Sequence, residues 1–139
     1  MSHYAAVTGA IVDKLRDIVG AKHVIWGDAE RLQAYATDEV ADERFSQLPE
    51  AVVRPASAQE IAAILRLANH ELIPVTPRGA GSGLSGGATP ICGGIVLSVD
   101  RMDRILEVDR QNLVVVVEPG VVTNDINERI KDDGLFYAG

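Results

Sequence analysis

The segment PRGAGSGLSGGATP, from Pro77 to Pro90, is the part of the sequence whose composition most clearly indicates chemistry. Five of the 13 glycines of the chain fall between Gly79 and Gly87. Consecutive glycines let a chain turn several backbone N–H groups toward one point, because no Cβ stands in the way. Such a nest binds anions, and phosphates above all. The segment therefore predicts a phosphate-binding loop, and the alternative is a flexible surface loop or a set of tight turns.

The absence of lysine from this loop limits the kinds of phosphate-containing ligand that it could bind. Gly81, Gly83 and Gly86 have the spacing of the G-x-G-x-x-G fingerprint, but the residues that follow, GATPICGG, cannot begin the helix that the fingerprint needs. A nucleotide triphosphate loop requires a lysine after its last glycine. The only lysines are Lys14, Lys22 and Lys131. A loop without lysine or metal-holding carboxylates predicts a cofactor diphosphate that does not react, and Arg78 could add a charge-assisted contact.

No second set of residues with catalytic spacing is found in the sequence. The histidines, His3, His23 and His70, are scattered and lack metal-ligand spacing, and His70 suits a helix C-terminus. The single cysteine, Cys92, lies next to an apolar run, and we predict a small buried residue there. The sequence thus predicts no metal site and no catalytic residue.

Hydrophobic periodicity predicts four helices. The first covers YAAVTGAIVDKLRDIV and ends at Gly20, and a short second one covers AERLQAYA. Ser57 and Glu60 form a capping-box pattern at the start of the third. Its apolar positions at helical spacing are Ile61, Ile64, Leu65, Ala68 and Leu72. The fourth begins at Thr123, turns Ile126 and Ile130 inward and ends at Gly134.

Short apolar runs predict the strands, and the glycine loop hangs from the end of one of them. The runs are AVVRP, LIPVTP, GIVLSV, RILEVD and LVVVV. GIVLSV and LVVVV are continuous and β-branched, which is typical of buried strands. The order strand, helix, strand from Ala51 to Val75 predicts a parallel pair with a right-handed crossover. The polar stretch DEVADERFSQLPE before it is predicted to be a loop.

Composition excludes several classes of protein. The chain has 139 residues, the size of one domain, of which 47% are hydrophobic. No run approaches the length of a membrane span, and the first residues do not resemble a signal peptide, so the cytoplasm is the predicted compartment. A formal net charge of −7 argues against a nucleic-acid partner.

Several stretches together resemble one family, the FAD-binding domains of the vanillyl-alcohol oxidase type, also called PCMH-type. They are most similar to the glycolate oxidase D subunit and D-lactate dehydrogenase group. The stretches are YATDE, AVVRPASAQEIAAILRLANHELIPVTPRGAGSGLSGGA, GGIVLSVDRMDRILEVD, VVVEPGV and GLFYAG. The resemblance implies an α+β fold, FAD as cofactor, and a flavin-dependent parent enzyme that oxidises a 2-hydroxy acid such as glycolate or D-lactate.

The resemblance also implies which residues hold FAD. In the family, the backbone of the glycine loop binds the FAD pyrophosphate, and a second motif borders the cofactor. The corresponding residues here are Pro77, Arg78, Gly79, Ala80, Gly81, Ser82, Gly83, Leu84, Pro119 and Gly120. Relatives that bind flavin covalently through this loop place a histidine where this chain has Ser82, so a non-covalent flavin is expected.

The same resemblance suggests how the chain is organised. Residues 1–48 are expected to form an N-terminal helical segment, residues 49–100 a complete first α/β subdomain with the pyrophosphate loop at 77–88, and residues 101–139 the beginning of a second subdomain. Family members run to several hundred residues, so the chain is expected to be a truncated piece of an oxidoreductase that lacks the substrate site. Alone it should be inactive and bind FAD weakly or not at all. It should also self-associate, either by pairing of edge strands or by exchange of its C-terminal segment with another copy. The alternative is a non-catalytic interaction fragment whose glycine loop is only a turn.

Overall fold

The computed structural model describes residues 4–40 and 46–139, which form a mixed helix and sheet fold. The helices in these residues are α1 (Gly9–Val19), α2 (Ala29–Gln33), α3 (Ala58–Glu71) and α4 (Thr123–Ile130). The strands are β1 (Val24–Trp26), β2 (Ala51–Val53), β3 (Val75–Arg78), β4 (Ile95–Ser98), β5 (Ile105–Asp109) and β6 (Val114–Val117). Short 3₁₀ turns follow α1 and α4. Part of the predicted polar loop, residues 41–45, lies outside the described residues.

The first sheet has the strand order β1-β2-β4-β3. β2 and β3 both run parallel to β4, and β1 pairs antiparallel with β2. The predicted parallel relation of β2 and β3 is therefore correct in direction, but the prediction that they pair is wrong, because β4 lies between them. All four residues of β4 are buried, and a strand that is apolar on both faces belongs in the centre of a sheet. β1 was not predicted from the sequence.

Helices cover both faces of this sheet. On one face α1 and α3 pack over alternate strand residues, and the core there includes Leu15, Ile64 and Ile95. On the other face α2 contributes Leu32, which packs with Val52 and Val96. Because successive side chains of each strand point to opposite faces, the sheet contributes residues to two cores, and β4 is covered on both sides.

The predicted caps of α3 are present with one change. The Ser57 hydroxyl accepts a hydrogen bond from the Glu60 N–H at 3.2 Å, while the Glu60 carboxylate accepts from the N–H of Ala56 and not of Ser57. Two of the predicted apolar positions do not face the core, since Leu65 is 46% exposed and Leu72 is 62% exposed. Leu72 is the left-handed residue that ends the helix, at φ 57°, and this turn directs its side chain to solvent.

The second sheet is a hairpin of β5 and β6, with α4 following it. Val115 and Val117 are partly buried, whereas Val114 is 51% and Val116 is 41% exposed. The prediction of LVVVV as a buried strand is therefore wrong for one of its faces. An antiparallel hairpin covered on a single side leaves alternate residues in water. Ile126 and Ile130 of α4 are buried, as predicted, and Gly134 ends the helical turns that follow it.

Close backbone packing joins the two sheets. The N–H of Gly120, after β6, donates to the Met102 carbonyl at 2.8 Å. A Cβ at Gly120 would overlap the carbonyl oxygen of Val99, so no larger residue fits this turn. Hydrogen bonds from the side chain and backbone N–H of Arg104 lower the pKa of the Glu118 carboxyl, which is held at the start of the same turn. The position of residues 118–120 is thereby fixed relative to the end of β4.

None of the described helices has the length and apolar composition needed to cross a membrane.

Arg54 and Asp100 form a two-pronged ion pair that joins the end of β2 to the end of β4. The Arg54 Nε lies 2.9 Å and its Nη2 lies 2.6 Å from Asp100 Oδ2, and the Ser98 hydroxyl donates to Oδ1. Burial raises the pKa of Asp100, but the hydrogen bonds and charge of Arg54 outweigh it, so the pKa lies below its usual value. The pair contributes stability only while Asp100 is ionised.

Asp100→Asn should lower the free energy of unfolding at pH 7 by about 1 kcal/mol, the upper end for a partly exposed ion pair. Because the folded-state pKa is depressed, this contribution is complete above the unfolded pKa and disappears as pH falls through the folded value. Urea unfolding at pH 7 and at pH 3 measures the difference. Asp103→Asn, a change at an exposed neighbour, is the control and should have little effect. A loss that is equally large at both pH values would contradict the ion-pair explanation.

Candidate cofactor-binding site

The glycine loop connects β3 to β4 and lies at the carboxyl end of β3. Residues 79–94, all of them described, form turns and bends with no helix among them. The prediction that no dinucleotide-type helix follows the glycines is therefore confirmed. In sheets with parallel strands, ligands bind beyond the carboxyl ends of the strands, and this loop occupies that position.

Arg78, the last residue of β3, has its guanidinium underneath the loop. Nη1 donates to the carbonyl oxygen of Thr37 at 2.7 Å and to that of Ala88 at 3.5 Å. Nη2 donates to the Ala34 carbonyl at 3.3 Å, and the guanidinium carbon lies 5.6 Å from the centre of the Tyr35 ring. These donors are directed at neutral carbonyl groups of the protein.

Gly81 lies against that guanidinium. Its φ is 76°, in the left-handed region, and a Cβ would overlap three atoms of the Arg78 side chain. Glycine is therefore required at this position by the fold of the loop itself.

Other glycines of the loop have no such reason within the chain. A Cβ at Gly79 or Gly87 would meet nothing within 4 Å, and one at Gly83 would meet only Asp38 Oδ2 at 3.8 Å. Their φ values lie outside the left-handed region, so neither crowding nor backbone strain excludes a side chain. Space that a Cβ would fill is what a ligand in contact with the backbone needs, and Gly79 and Gly83, which lie among the predicted contact residues, fit a diphosphate.

A cleft of about 310 Å³ separates the loop from the turn after β6. Four of the predicted site residues line it, together with three that the sequence analysis missed. The predicted ones are Ala80, Ser82, Pro119 and Gly120, and the additional ones are Val121, Val122 and Thr123. Two segments that are far apart in the sequence thus meet at one cleft.

The missed residues are the beginning of α4. Val122 is the N-cap, and within the described residues no side chain caps this helix end. The first turn of a helix carries backbone N–H groups without intrahelical partners and a partial positive charge, both of which favour an anion. Thr123 was predicted as the start of a helix, and its position three residues after Gly120 was the signal that could have placed it in the site.

The remaining predicted residues lie along the loop. Pro77 is exposed on β3, which is an edge strand and so tolerates proline. Leu84 is 76% exposed and does not line the cleft. The structure therefore places the ten residues at the end of β3, on the loop that follows it, or on the turn across the cleft.

The predictions made for Cys92 and for His70 can also be compared with the structure. Cys92 is exposed, so the prediction that it is buried is wrong. It lies in a turn in which Thr89 and Pro90 are the buried residues and the side chains that follow face solvent. His70 lies in the last turn of α3, as predicted. In the described residues no group of histidine, cysteine or carboxylate side chains could hold a metal.

A second cavity, of about 140 Å³, lies between the β5–β6 hairpin and the C-terminal residues. Val108, Val115, Ile130 and Phe136 are among its lining residues, which are apolar or aromatic except for Asp109. It contains none of the predicted site residues and carries no group suited to a phosphate.

Comparisons with known proteins agree with this geometry. Residues 49–138 match the family described as FAD binding domain. The chain is 39% identical over 134 residues to a D-lactate dehydrogenase of Anaerostipes hadrus, covering 96% of this chain and 28% of the relative. It is 36% identical over 131 residues to the glycolate oxidase subunit GlcD of Bacillus subtilis, covering 94% and 27%. The chain thus spans little more than a quarter of the length of these relatives.

A solved structure has the same fold. Substrate-bound p-cresol methylhydroxylase superposes with a TM-score of 0.80 at 23% sequence identity, over 94% of this chain and 26% of that one. The predicted α+β fold of the PCMH type is thereby confirmed. The family match, which covers most of the chain, agrees with the fold and with the bare-backbone cleft, and the chain belongs to the family of FAD-binding domains found in FAD-linked oxidoreductases.

Proposed function

We propose that the chain holds the diphosphate of FAD in the cleft between its glycine loop and the turn at Pro119–Gly120. The observation that carries this proposal is the open space at Gly79 and Gly83, where the chain itself has no need of glycine. Backbone N–H groups of residues 78–84 would bind the diphosphate from the loop side, and Pro77, which has no backbone N–H, would lie beside the flavin end of the loop. The uncapped first turn of α4 would face it from the other side.

The residues at the cleft bind without reacting. Neither segment that lines it contains a lysine, so no mobile cation is present to stabilise a phosphate that changes partners. FAD supplies two-electron redox chemistry at its ring system, and its diphosphate is only a group by which the protein binds it. The role proposed for Ala80, Ser82 and Gly120 is therefore to position the cofactor and to exclude water from one side of it.

We propose that the parent protein oxidises a 2-hydroxy acid such as glycolate or D-lactate. The support is the names of the relatives, a D-lactate dehydrogenase and a glycolate oxidase subunit. No residue of this chain is proposed as catalytic, because the described residues at the cleft offer no side chain suited to take a proton from a substrate.

The proposed subdomain boundary lies near residue 100, between the two sheets. β2, β3 and β4 belong to the first sheet, and β5 and β6 to the second. β1 comes from the N-terminal residues 1–48 and is an edge strand of the first sheet, so we propose that this segment packs as part of the first subdomain.

Ser82 at the cleft predicts a flavin that can be removed. A serine hydroxyl does not take the place of the histidine through which covalently flavinylated relatives tether the ring. FAD bound by the chain should therefore be released completely by acid or by denaturant. The measurement is flavin fluorescence of the denatured protein on a gel, with free FAD as the control. Fluorescence that migrates with the polypeptide would contradict the prediction.

Substitutions of two glycines separate contact with FAD from the folding of the loop. Gly79→Val should leave the melting temperature unchanged and weaken FAD binding at least about tenfold, because its side chain fills the space above an unstrained backbone. Gly81→Val should lower both, because its φ is left-handed and its side chain would displace Arg78. Titration up to millimolar FAD measures binding, since we expect the one-sided cleft to bind weakly.

The matched control is Gly87→Val, in the same loop but outside the proposed contact residues and equally free of neighbours. It should keep both the melting temperature and the FAD affinity. Equal loss of affinity in the Gly79 and Gly87 variants would show that loop stiffness and not contact is responsible. Unchanged affinity in both the Gly79 and Gly81 variants would overturn the site assignment.

We also propose that the 139-residue chain self-associates through the β5–β6 sheet. In the described residues this sheet has two strands, so each keeps an unpaired edge, and its outer face exposes Val114 and Val116. Light scattering should show dimers or larger species whose share increases with concentration. Val116→Lys should reduce them, while Leu65→Lys, an exposed position on α3, should not. A monomer at all concentrations would contradict the proposal.

A further inference from the structure

The contacts beneath the glycine loop involve a segment that the family match does not reach. Residues 34–39, AYATDE, here called the brace, follow α2 and precede the matched region, which begins at residue 49. The brace touches the loop at two separate places. One contact joins a side chain of the loop region to backbone carbonyls of the brace, and the other joins backbone to backbone.

The first contact runs through Arg78. Its guanidinium donates to the carbonyl oxygens of Ala34 and Thr37 in the brace, and the ring of Tyr35 lies 5.6 Å from its charged carbon. The planar fork of an arginine can serve several fixed acceptors at once, which an ammonium group cannot do in the same geometry.

The same guanidinium also links the two ends of the loop. Arg78 directly precedes the glycine-rich residues 79–87, and its Nη1 reaches the carbonyl of Ala88, which directly follows them, at 3.5 Å. Gly81, between these ends, lies directly against the guanidinium. The loop therefore folds around the side chain of Arg78.

The second contact is independent of Arg78. The N–H of Glu39 donates to the carbonyl of Gly83 at 3.1 Å. The carboxylate of Asp38 lies next to the same residue and accepts from the N–H of Val40 at 3.0 Å.

The brace is itself anchored to the core of the first sheet. Ala36 is buried, and Tyr35 packs on the cluster of Leu32, Val52 and Val96. The carboxylate of Asp28 caps α2 by accepting from the N–H of Arg31 at 3.1 Å. The brace is thus fixed to the sheet, and through its contacts with the loop it can restrict the movement of the loop.

We propose that the brace holds the glycine loop in its cofactor-binding shape, and that Arg78 is the positioning residue that joins the two. The proposal rests on the proposed function of the loop as the diphosphate site. It assigns the charge of Arg78 to the protein's own carbonyl groups. A direct contact of that guanidinium with the diphosphate is the competing explanation.

Amide hydrogen exchange of the ligand-free 139-residue chain tests the brace without flavin. Arg78→Met removes the donors, and Arg78→Lys keeps the charge but not the fork. Both should increase exchange by about tenfold or more at the hydrogen-bonded amides of Tyr35, Ala36 and Glu39 in the brace and of Thr89 after the glycines, as expected when hydrogen bonds from a charged group are lost. Arg66→Met, at an exposed arginine of α3, is the matched control and should leave both segments unchanged. If the Arg78 variants fold poorly, Tyr35→Leu is a milder replacement, because it removes the ring beside the guanidinium and keeps the apolar packing.

FAD titration of the same variants then separates the two explanations. The brace predicts that Arg78→Lys loses affinity for FAD as Arg78→Met does, with a salt dependence no different from that of the unsubstituted chain. Normal exchange in both variants, or full FAD affinity in Arg78→Lys, would overturn the proposal. Faster exchange together with no FAD binding by the unsubstituted chain would support the brace and refute the proposed function instead.

Discussion

A loop made largely of glycine has few side chains that could fix its own shape. The rest of the site depends on the contacts from other residues that fix it instead. Glycine loses more conformational freedom on folding than any other residue, so an ordered glycine loop must be fixed by contacts from outside it. Here the contacts come from Arg78 below, from the brace beside it and from β3 and β4 at its ends. The bare face that remains open is the part proposed to meet the cofactor.

The other half of the cleft depends on a similar close approach. Gly120 packs on the carbonyl oxygens of Val99 and Met102, which brings the start of α4 within reach of Ala80 and Ser82. The two glycine positions, Gly81 and Gly120, are thus required by the protein itself. Gly79 and Gly83 have open space instead, and this difference separates the structural glycines of the site from those that a ligand would explain.

Local signals in the sequence were sufficient for the elements and for the loop. The cap at Ser57, the helix end at Gly20 and the run of glycines are each decided by neighbouring residues, and each was predicted. The position of β4 between β2 and β3 was not, because strand pairing is decided by which apolar faces can be buried together over long sequence separations. The exposures of Leu72, Cys92 and Val114 were missed for a related reason. Periodicity indicates that a side chain is apolar, but a left-handed cap, a turn or an uncovered sheet face decides whether it is buried.

The charge of the chain gives these contacts a further consequence. With a net charge of −7, the 139-residue chain repels an anionic cofactor at long range, and no lysine in the loop counters that repulsion. Recognition of a diphosphate must then depend on backbone dipoles, which act only over a few ångströms and only when they converge. A small displacement of the loop therefore costs more here than in a site where a mobile lysine can follow the phosphate. In the proposed site, Arg78 would therefore contribute to anion binding by holding the backbone in place, because its donors are already directed at protein carbonyl groups.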